Sequence, residues 1–295
     1  STRTVAFDRD LNVMHSEQKE YLLKYPKDGW VEIEPGELMA SVHNTLEPVL
    51  EACDDISALG ITNQRETTLV WEASTGKPIY NAIVWQDRRT AEDCMRLKKD
   101  GYEEIIKNKT GLLLDPYFSA TKISWILDNV DGARKKAANG ELRFGTVDTY
   151  LLWQLSEGVI YKTDVTNASR TNLFNIHSKA WDQELLDIFN IPPSILPEIH
   201  ASDAVFGDIT RQNRTIKITG VIGDQQSALV GQRCFEPGQM KATFGTGCFL
   251  MVNTGDQSIP STSGLLNTLG YGISNKTPFA LEGSIFSAGT IIQWL

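Results

Sequence analysis

The stretch Val221–Ala228, with the sequence VIGDQQSA, places one carboxylate, Asp224, at the end of an apolar strand. Further along the chain, Thr243–Phe249 (TFGTGCF) predicts a tight glycine hairpin. A carboxylate at a strand end can accept a hydroxyl proton, and backbone N–H groups beside glycines can hold phosphate oxygens. Either motif alone is weak, because Gly-Asp is often only a turn and Gly-x-Gly only a hairpin. Together they indicate phosphoryl transfer to a hydroxyl group.

The composition is that of an ordinary globular protein. Its 295 residues, 41% apolar and 22% charged, suffice for one large or two ordinary domains. The net charge of −9 argues against binding to nucleic acid or to an acidic membrane, since both require a basic face. No apolar run approaches the ~20 residues of a membrane-spanning helix. Without a signal peptide or a C-x-x-C pair, we expect a cytoplasmic protein with reduced thiols.

Both ends of the sequence lack the usual boundary signals. The chain begins at Ser1 without methionine and enters the apolar strand Thr4–Asp8 almost at once. It stops at Leu295, inside the apolar-rich run 288–295, with nothing to cap a last helical turn. We therefore expect a fragment of a longer protein, truncated at both ends.

The hydrophobic pattern predicts an α/β protein. Strands Thr4–Asp8 and Asn12–Tyr21 are expected to pair antiparallel, and a helix to open at Pro35. Further strands are predicted at 56–62, 68–72, 79–84, 205–208 and 215–221, and further helices at 90–107, 120–129 and 225–232. A break at Cys234–Gly238 introduces a hairpin-rich region and predicts domains 1–233 and 234–295.

Several familiar motifs are absent. The only Gly-Lys pair, Gly76-Lys77, lacks the leading glycine of a Walker loop, because Trp71 stands there. There is no complete dinucleotide fingerprint and no G-x-S-x-G elbow. The four histidines are isolated from one another, so no metal-ligand spacing is present. A phosphotransferase with this sequence must hold phosphate in another way.

Two polar clusters follow apolar strands, where the loops of an open α/β sheet bind ligands. In Gly60–Glu66, the guanidinium of Arg65 donates hydrogen bonds and the neighbouring carboxylate of Glu66 accepts them. This combination suits a ligand hydroxyl, which both donates and accepts. From these residues alone, a solvated turn is the favoured interpretation. In the second cluster, 84–89, Trp85 either covers the carbon atoms of a small ligand or completes the core.

Two more clusters come later in the chain. In Asp115–Trp125, Asp115 and Pro116 are expected to start a helix, and the Tyr117 hydroxyl is free to reach a pocket. Small hydrogen-bonding side chains crowd Thr163–Thr171. That density favours a structural polar network.

Six segments, taken in order, resemble the FGGY family of carbohydrate kinases, and within it the members that act on glycerol. They are TNQRE (62–66), WQDR (85–88), DPYFS (115–119), TNASRT (166–171), GDQQ (223–226) and FGTGCF (244–249). The run 117–129 also fits the first signature of the family. The resemblance covers essentially the whole chain.

The resemblance implies a fold, a reaction and an assembly. The fold is the actin-like ATPase (ribonuclease H-like) α/β fold, with two domains closing on a central cleft. Residues 1–233 would be the polyol-binding N-terminal domain, and 234–295 the beginning of the nucleotide-binding C-terminal domain. The reaction would phosphorylate glycerol to sn-glycerol 3-phosphate with ATP and Mg²⁺. The family further suggests a homo-oligomer, a dimer or a tetramer.

Site residues are carried over by matching positions. Asp224 is expected to be the general base. The expected glycerol ligands are Arg65, Glu66, Tyr117, Asp224 and Gln225, with Trp85 and Phe249 beside its carbon atoms. The expected ATP contacts are Gly245, Thr246, Gly247, Gly289, Gln293 and Arg3.

The sequence also departs from the family pattern. The family's Asp-Gln-Gly-Thr-Thr phosphate hairpin would precede Ser1, and most of the second domain would follow Leu295. We therefore expect this chain alone to be inactive and poorly folded. The segment 210–215 is short and lacks the glycines of the loop that binds fructose 1,6-bisphosphate in some bacterial relatives. We expect no inhibition by that sugar.

Two other interpretations stay open. A pentulose kinase of the same family would share the fold and the base, but such enzymes tend to carry a Gly-Gln-Met-His-like loop where this chain has Asn63–Glu66. A non-catalytic binding or scaffold protein is the second alternative. The intact Asp224 and the complete polyol set argue against it.

Overall fold

The structure, a computed structural model, describes residues 1–244 and 247–285. The strands are β1 (Thr2–Phe7), β2 (Val13–Lys19), β3 (Glu32–Ile33), β4 (Ala58–Asn63), β5 (Leu69–Glu72), β6 (Ala82–Ile83), β7 (Leu142–Gly145), β8 (Lys162–Asp164), β9 (Phe174–Asn175), β10 (Ala180–Trp181), β11 (Glu198–His200), β12 (Gly207–Arg211), β13 (Arg214–Gly223), β14 (Met240–Phe244), β15 (Cys248–Gly255), β16 (Leu266–Leu269) and β17 (Phe279–Ile285). The helices are α1 (Pro35–Ala52), α2 (Ala91–Lys99), α3 (Glu103–Thr110), α4 (Ser119–Asn129), α5 (Ala133–Ala138), α6 (Val147–Leu155), α7 (Val165–Ala168), α8 (Gln183–Ile188) and α9 (Asp224–Gly231). The predicted α/β class is confirmed.

The parallel pair β4–β13 brings two distant loops together. Asn63, the last residue of β4, lies opposite Gly223, the last residue of β13. Strand β12 pairs antiparallel with the other side of β13. Because parallel strands end at the same edge of a sheet, the residues that follow β4 and β13 become neighbours.

The largest hydrophobic core lies between α1, α6 and this sheet. Leu38, Leu46 and Leu50 of α1 are buried against Ile61 and Val221. With Val42 of the same cluster they recur every four residues, which puts them on one helical face, as the sequence predicts. This packing fixes the sheet edge at which β4 and β13 end.

A second core supports α4. Ile123, Ile126 and Leu127 of this helix are buried with Val70 of β5 and Phe144 of β7. The loop 111–118 leads into α4, and the backbone N–H of Ala120 donates to the carbonyl of Thr171. The first turn of α4 is therefore anchored close to the ends of β4 and α7.

The chain ends in a separate antiparallel sheet. Its strand order is β14-β15-β17-β16, and Met251 of β15 lies opposite Glu282 of β17. Met251 and Ala280 pack against Leu229 of α9. The helix that begins at Asp224 thus contacts both sheets.

Some boundaries differ from the sequence prediction. The helix predicted over 90–107 is two helices, α2 and α3, because Asp100-Gly101 interrupts it. Gly101 has φ of 89°, a left-handed conformation that glycine adopts readily. The strand predicted over 79–84 pairs only at Ala82–Ile83. Asp115 and Pro116 do not start a helix, since α4 begins at Ser119.

Two wider predictions concern the membrane and the domains. Within 1–244 and 247–285, no helix is both long enough and apolar enough to span a bilayer.

Residues 232–239 connect α9 to the first strand of the second sheet. The boundary placed between 233 and 234 stays a prediction.

Candidate active site

Asp224 opens α9 directly after β13. Gly223, just before it, has no room for a side chain, because a Cβ there would lie 2.8 Å from Cγ and Cδ of Arg65. The Asp224 side chain is 43% exposed, and its Oδ1 accepts the N–H of Gln225 at 2.7 Å. A half-exposed carboxylate on a strand-to-helix turn is accessible to a substrate hydroxyl.

Arg65 connects Asp224 to the second sheet. Its Nη1 and Nη2 lie 2.6 and 3.0 Å from the two carboxylate oxygens of Glu282 on β17. The same two nitrogens donate to Oε1 of Gln226 and to the Tyr117 hydroxyl. Nε lies 3.3 Å from Oδ1 of Asp224 and makes no hydrogen bond within the part of the chain that the structure describes. The buried guanidinium of Arg65 is therefore the positive neighbour of the Asp224 carboxylate.

Arg170 completes a buried group of four charges. Its Nε lies 2.6 Å from Glu66 Oε1, and its Nη2 lies 3.0 Å from Glu282 Oε1. The two positive arginines balance the two negative glutamates, because a buried charge without a partner would strongly destabilise the fold. Burial alone would raise the pKa of Glu282, but Arg170 and Arg65 lower it to about 2. Burial raises the pKa of Glu66 despite the same two arginines.

This burial contradicts one sequence interpretation. Arg65 is 2% exposed and Glu66 is 1% exposed, so the loop after β4 is not a solvated turn. The two residues are buried because Arg170 and Glu282, distant in sequence, supply their partners.

Aromatic rings form an apolar wall beside the charged group. The Trp85 ring centroid lies 5.8 Å from that of Tyr117 and 6.3 Å from that of Phe249, both edge to face. The Tyr117 hydroxyl, which the sequence analysis expects to reach a pocket, accepts a hydrogen bond from Arg65. Trp85 and Phe249, both expected beside the glycerol carbon atoms, lie next to each other.

Gln225 is held by a lysine of the second sheet. Lys241 on β14 donates to Gln225 Oε1, to Thr243 Oγ1 at 2.9 Å and to the Phe249 carbonyl at 3.3 Å. Lys241 is 4% exposed, and burial lowers its pKa. The Gln225 amide is thereby oriented next to Asp224.

The expected nucleotide contacts are only partly described. Arg3 lies on β1, where its Nε donates to Ser16 Oγ at 3.1 Å. It lines a cavity of about 300 Å³ with Thr62 and Gln64. Gly247 is a half-buried bend residue next to β15. Gly245, Thr246, Gly289 and Gln293 lie outside the described residues.

Sequence reasoning missed three charged residues of the site. The sequence analysis placed Arg170 in a structural polar network over 163–171, and the structure confirms such a network around the buried Asp164. The Arg170 side chain, however, forms ion pairs with Glu66 and Glu282. Glu282 and Lys241 each stand in a strand among apolar neighbours, FALEGSI and MKATF. A lone charge in an apolar strand was the available signal, since such charges are rarely buried unpaired.

Among the described residues, no group of three or more His, Cys, Asp or Glu is arranged to hold a metal ion.

Comparison with known proteins gives consistent results. Residues 1–231 match the FGGY family of carbohydrate kinases, N-terminal domain. The chain is 57% identical over 302 residues to the glycerol kinase of Alteromonas mediterranea, covering 100% of this chain and 61% of that protein. The crystal structure of Plasmodium falciparum glycerol kinase with ADP superposes with a TM-score of 0.95 at 40% identity, covering 99% of this chain and 60% of that one. A ligand-bound xylulose kinase from Lactobacillus acidophilus has the same fold, with a TM-score of 0.86 at 22% identity, covering 99% and 59%. The chain thus spans about three fifths of the length of each relative.

Proposed function

The chain belongs to the FGGY family of carbohydrate kinases, and we propose that its protein transfers a phosphoryl group from ATP to glycerol, giving sn-glycerol 3-phosphate. The observation that carries the proposal is the position of Asp224. Its half-exposed carboxylate follows β13 at a strand-to-helix turn and lies 3.3 Å from Nε of the buried Arg65. A substrate hydroxyl that reaches this carboxylate can give its proton to Asp224 beside the positive charge of Arg65.

Asp224 serves as the general base in this proposal. The attacking glycerol hydroxyl gives its proton to the carboxylate as the new O–P bond forms, and ADP leaves. Phosphoryl transfer passes through a loose transition state, so holding the hydroxyl in line matters more than a strong base. The N–H of Gln225 on Oδ1 fixes the direction of the carboxylate.

The surrounding residues suit a small polyol. Glu66 supplies an acceptor, Arg65 a donor and Gln225 an amide, so hydroxyls that both donate and accept can be satisfied. The rings of Trp85 and Phe249 cover the carbon atoms. A site built on hydrogen bonds rejects analogues lacking a hydroxyl by about 10⁴-fold, because its buried groups are left unpaired.

The nucleotide site is proposed from the family. Gly245, Thr246, Gly247, Gly289, Gln293 and Arg3 are the proposed ATP contacts. Mg²⁺ usually binds through nucleotide phosphates and one or two carboxylates. In this proposal the ion is held through the nucleotide phosphates, and Asp224 keeps the role of base. The ion would offset the charge of the phosphates.

The remaining family features are also proposals. The polyol-binding domain would comprise residues 1–233, and the nucleotide-binding domain would begin at 234. A cytoplasmic location and a homo-oligomer, a dimer or a tetramer, are part of the proposal as well. These features do not affect the chemistry assigned to Asp224.

Acceptor specificity tests the proposed function. The protein would be expressed from its complete reading frame, and ADP release measured with glycerol, 1,2-propanediol, xylulose and ribulose. We expect turnover with glycerol and a loss of about 10⁴-fold in kcat/KM with the diol. Turnover of a pentulose instead of glycerol would assign the protein to a sister activity. Silence with every acceptor would favour a binding protein.

A further inference from the structure

Lys122 lies in the first turn of α4 and is completely buried. Burial lowers the pKa of its ammonium group to about 8, although Glu66, Asp87 and Asp115 act to raise it. A cation near a helix N-terminus also opposes the helix dipole. Since a buried charge costs several kcal/mol, methionine or leucine would fill this position more favourably. The reason for a lysine at this position must therefore lie in the hydrogen bonds that its ammonium group makes.

The ammonium group joins two segments of the acceptor site. Nζ of Lys122 donates to the carbonyl of Tyr117 at 2.7 Å and to the carbonyl of Glu66 at 3.2 Å. Tyr117 belongs to the loop before α4, whereas Glu66 follows β4. One side chain thus bonds the backbones of two residues that are distant in sequence.

Glu66 has a backbone conformation that needs this support. Its φ is 60°, in the left-handed region, which is unfavourable for a residue other than glycine. Its carbonyl also accepts from Thr68 Oγ1 at 3.0 Å and Ser119 Oγ at 3.1 Å. Ser119 and Lys122 both belong to the first turn of α4. That turn therefore holds the loop in the conformation that directs the Glu66 carboxylate to Arg170.

We propose that Lys122 is a positioning residue that sets the distance between Glu66 and Tyr117, and thereby the affinity of the site for its polyol. This inference rests on the proposed glycerol kinase activity. Lys122 does not touch the substrate in this account. It acts through the backbone of Glu66, whose carboxylate accepts from the polyol, and through Tyr117, whose ring contacts Trp85.

The test is Lys122→Met in the protein from the complete reading frame. The change removes the donors and leaves an unbranched apolar side chain that is one atom shorter. We expect the glycerol KM to rise by about ten- to a hundredfold, because displacement by a fraction of an ångström disrupts the acceptor geometry. The ATP KM should stay within about twofold, because neither carbonyl belongs to a proposed ATP contact. Saturating ADP should raise the melting temperature as in the wild type, whereas a fixed glycerol concentration should raise it less.

A milder variant keeps the test decisive should Lys122→Met fold poorly. Ser119→Ala removes one other donor to the Glu66 carbonyl and introduces no charge imbalance. We expect the glycerol KM to rise by about threefold to tenfold, with the ATP KM unchanged. Lys109→Met is the matched control, since Lys109 pairs with Asp182 at 2.7 Å, outside the acceptor site. Its glycerol KM should equal that of the wild type.

The outcomes separate this inference from the proposed function. A glycerol KM within about twofold of wild type in both Lys122→Met and Ser119→Ala would overturn the positioning role. Equal increases in the glycerol and ATP KM values would also overturn it, because they indicate general loss of structure. A wild-type protein that turns over no glycerol would refute the proposed function instead.

Discussion

At Gly223 the site depends on the absence of a side chain. A Cβ on this residue would lie 2.8 Å from two carbons of Arg65, whose Nε faces Asp224. We predict that Gly223→Ala displaces Arg65 and raises the glycerol KM by about tenfold or more. Gly231→Ala is the control, because a Cβ there has nothing within 4 Å. Steady-state kinetics of both variants provide the measurement, and a wild-type KM in Gly223→Ala would contradict the geometry.

Asp148 is a residue whose titration affects stability. Burial, and then the neighbouring Asp164, raise its pKa from 3.8 to about 6. Between these values the folded protein binds more protons than the unfolded chain, so this group makes stability fall as pH rises through that window. We predict that Asp148→Asn removes this contribution. Urea unfolding at pH 4 and pH 7 should reveal a smaller loss on raising the pH in the variant than in the wild type, and equal losses would contradict the assignment.

Sequence identified the site residues that lie next to turns and strand ends. Asp224, Arg65 and Glu66 follow parallel strands, so their convergence follows from the α/β pattern. Glu282 and Arg170 could not be assigned in the same way. Their roles depend on ion pairs between segments that meet only in the folded chain.

At the level of the elements, one arginine, Arg89, joins β3, the loop after β6 and α4. The Arg89 guanidinium lies 3.8 Å from the Trp30 ring centroid and 4.6 Å from that of Trp125 on α4. It also pairs with Glu32 on β3 at 2.7 Å and with Asp87 at 2.8 Å. The side chain of Arg89 is completely buried. The loop that carries Trp85 is held in place by this cluster.

We predict that Arg89→Leu destabilises the protein by about 3–5 kcal/mol, because it leaves two buried carboxylates without their cation. Arg96→Leu is the control, since Arg96 is 67% exposed and pairs with Asp93 on the same helix. Urea unfolding monitored by circular dichroism measures both variants. Similar stability of Arg89→Leu and Arg96→Leu would count against the role of the cluster.

Element boundaries were predicted best where the hydrophobic pattern is regular. The spacing of Leu38, Val42, Leu46 and Leu50 predicts α1, and the structure confirms it. The pattern failed at 90–107, where a single glycine, Gly101, ends one helix before the next begins. It failed again at 79–84, because the length of a strand depends on its partner, and β3 provides only two residues.

For the molecule as a whole, Glu282 connects the sheet β14-β15-β17-β16 to the residues that follow β4 and α7. From β17 its carboxylate forms ion pairs with Arg65 and Arg170. Its pKa is lowered from 4.5 to about 2, so its contribution is present above pH 4.5 and is lost as pH falls toward 2. The second sheet and the acceptor residues are thus stabilised by the same carboxylate.

We predict that Glu282→Gln lowers the free energy of unfolding by about 3 kcal/mol or more at pH 7, since two buried arginines then share one carboxylate. The difference from wild type should shrink as pH falls from 4.5 toward 2. Urea unfolding across this range provides the measurement. A difference independent of pH would mean that Glu282 stabilises the structure by packing rather than by charge.

Glycerol-dependent ADP release by Asp224→Asn shows whether Asp224 is the base of the proposed glycerol kinase. The protein would be expressed from its complete reading frame, with Asp208→Asn, an exposed carboxylate on β12, as the control. We predict that Asp224→Asn lowers kcat by about 10²–10⁴-fold, while Asp208→Asn matches the wild type. Wild-type turnover in Asp224→Asn would contradict the account.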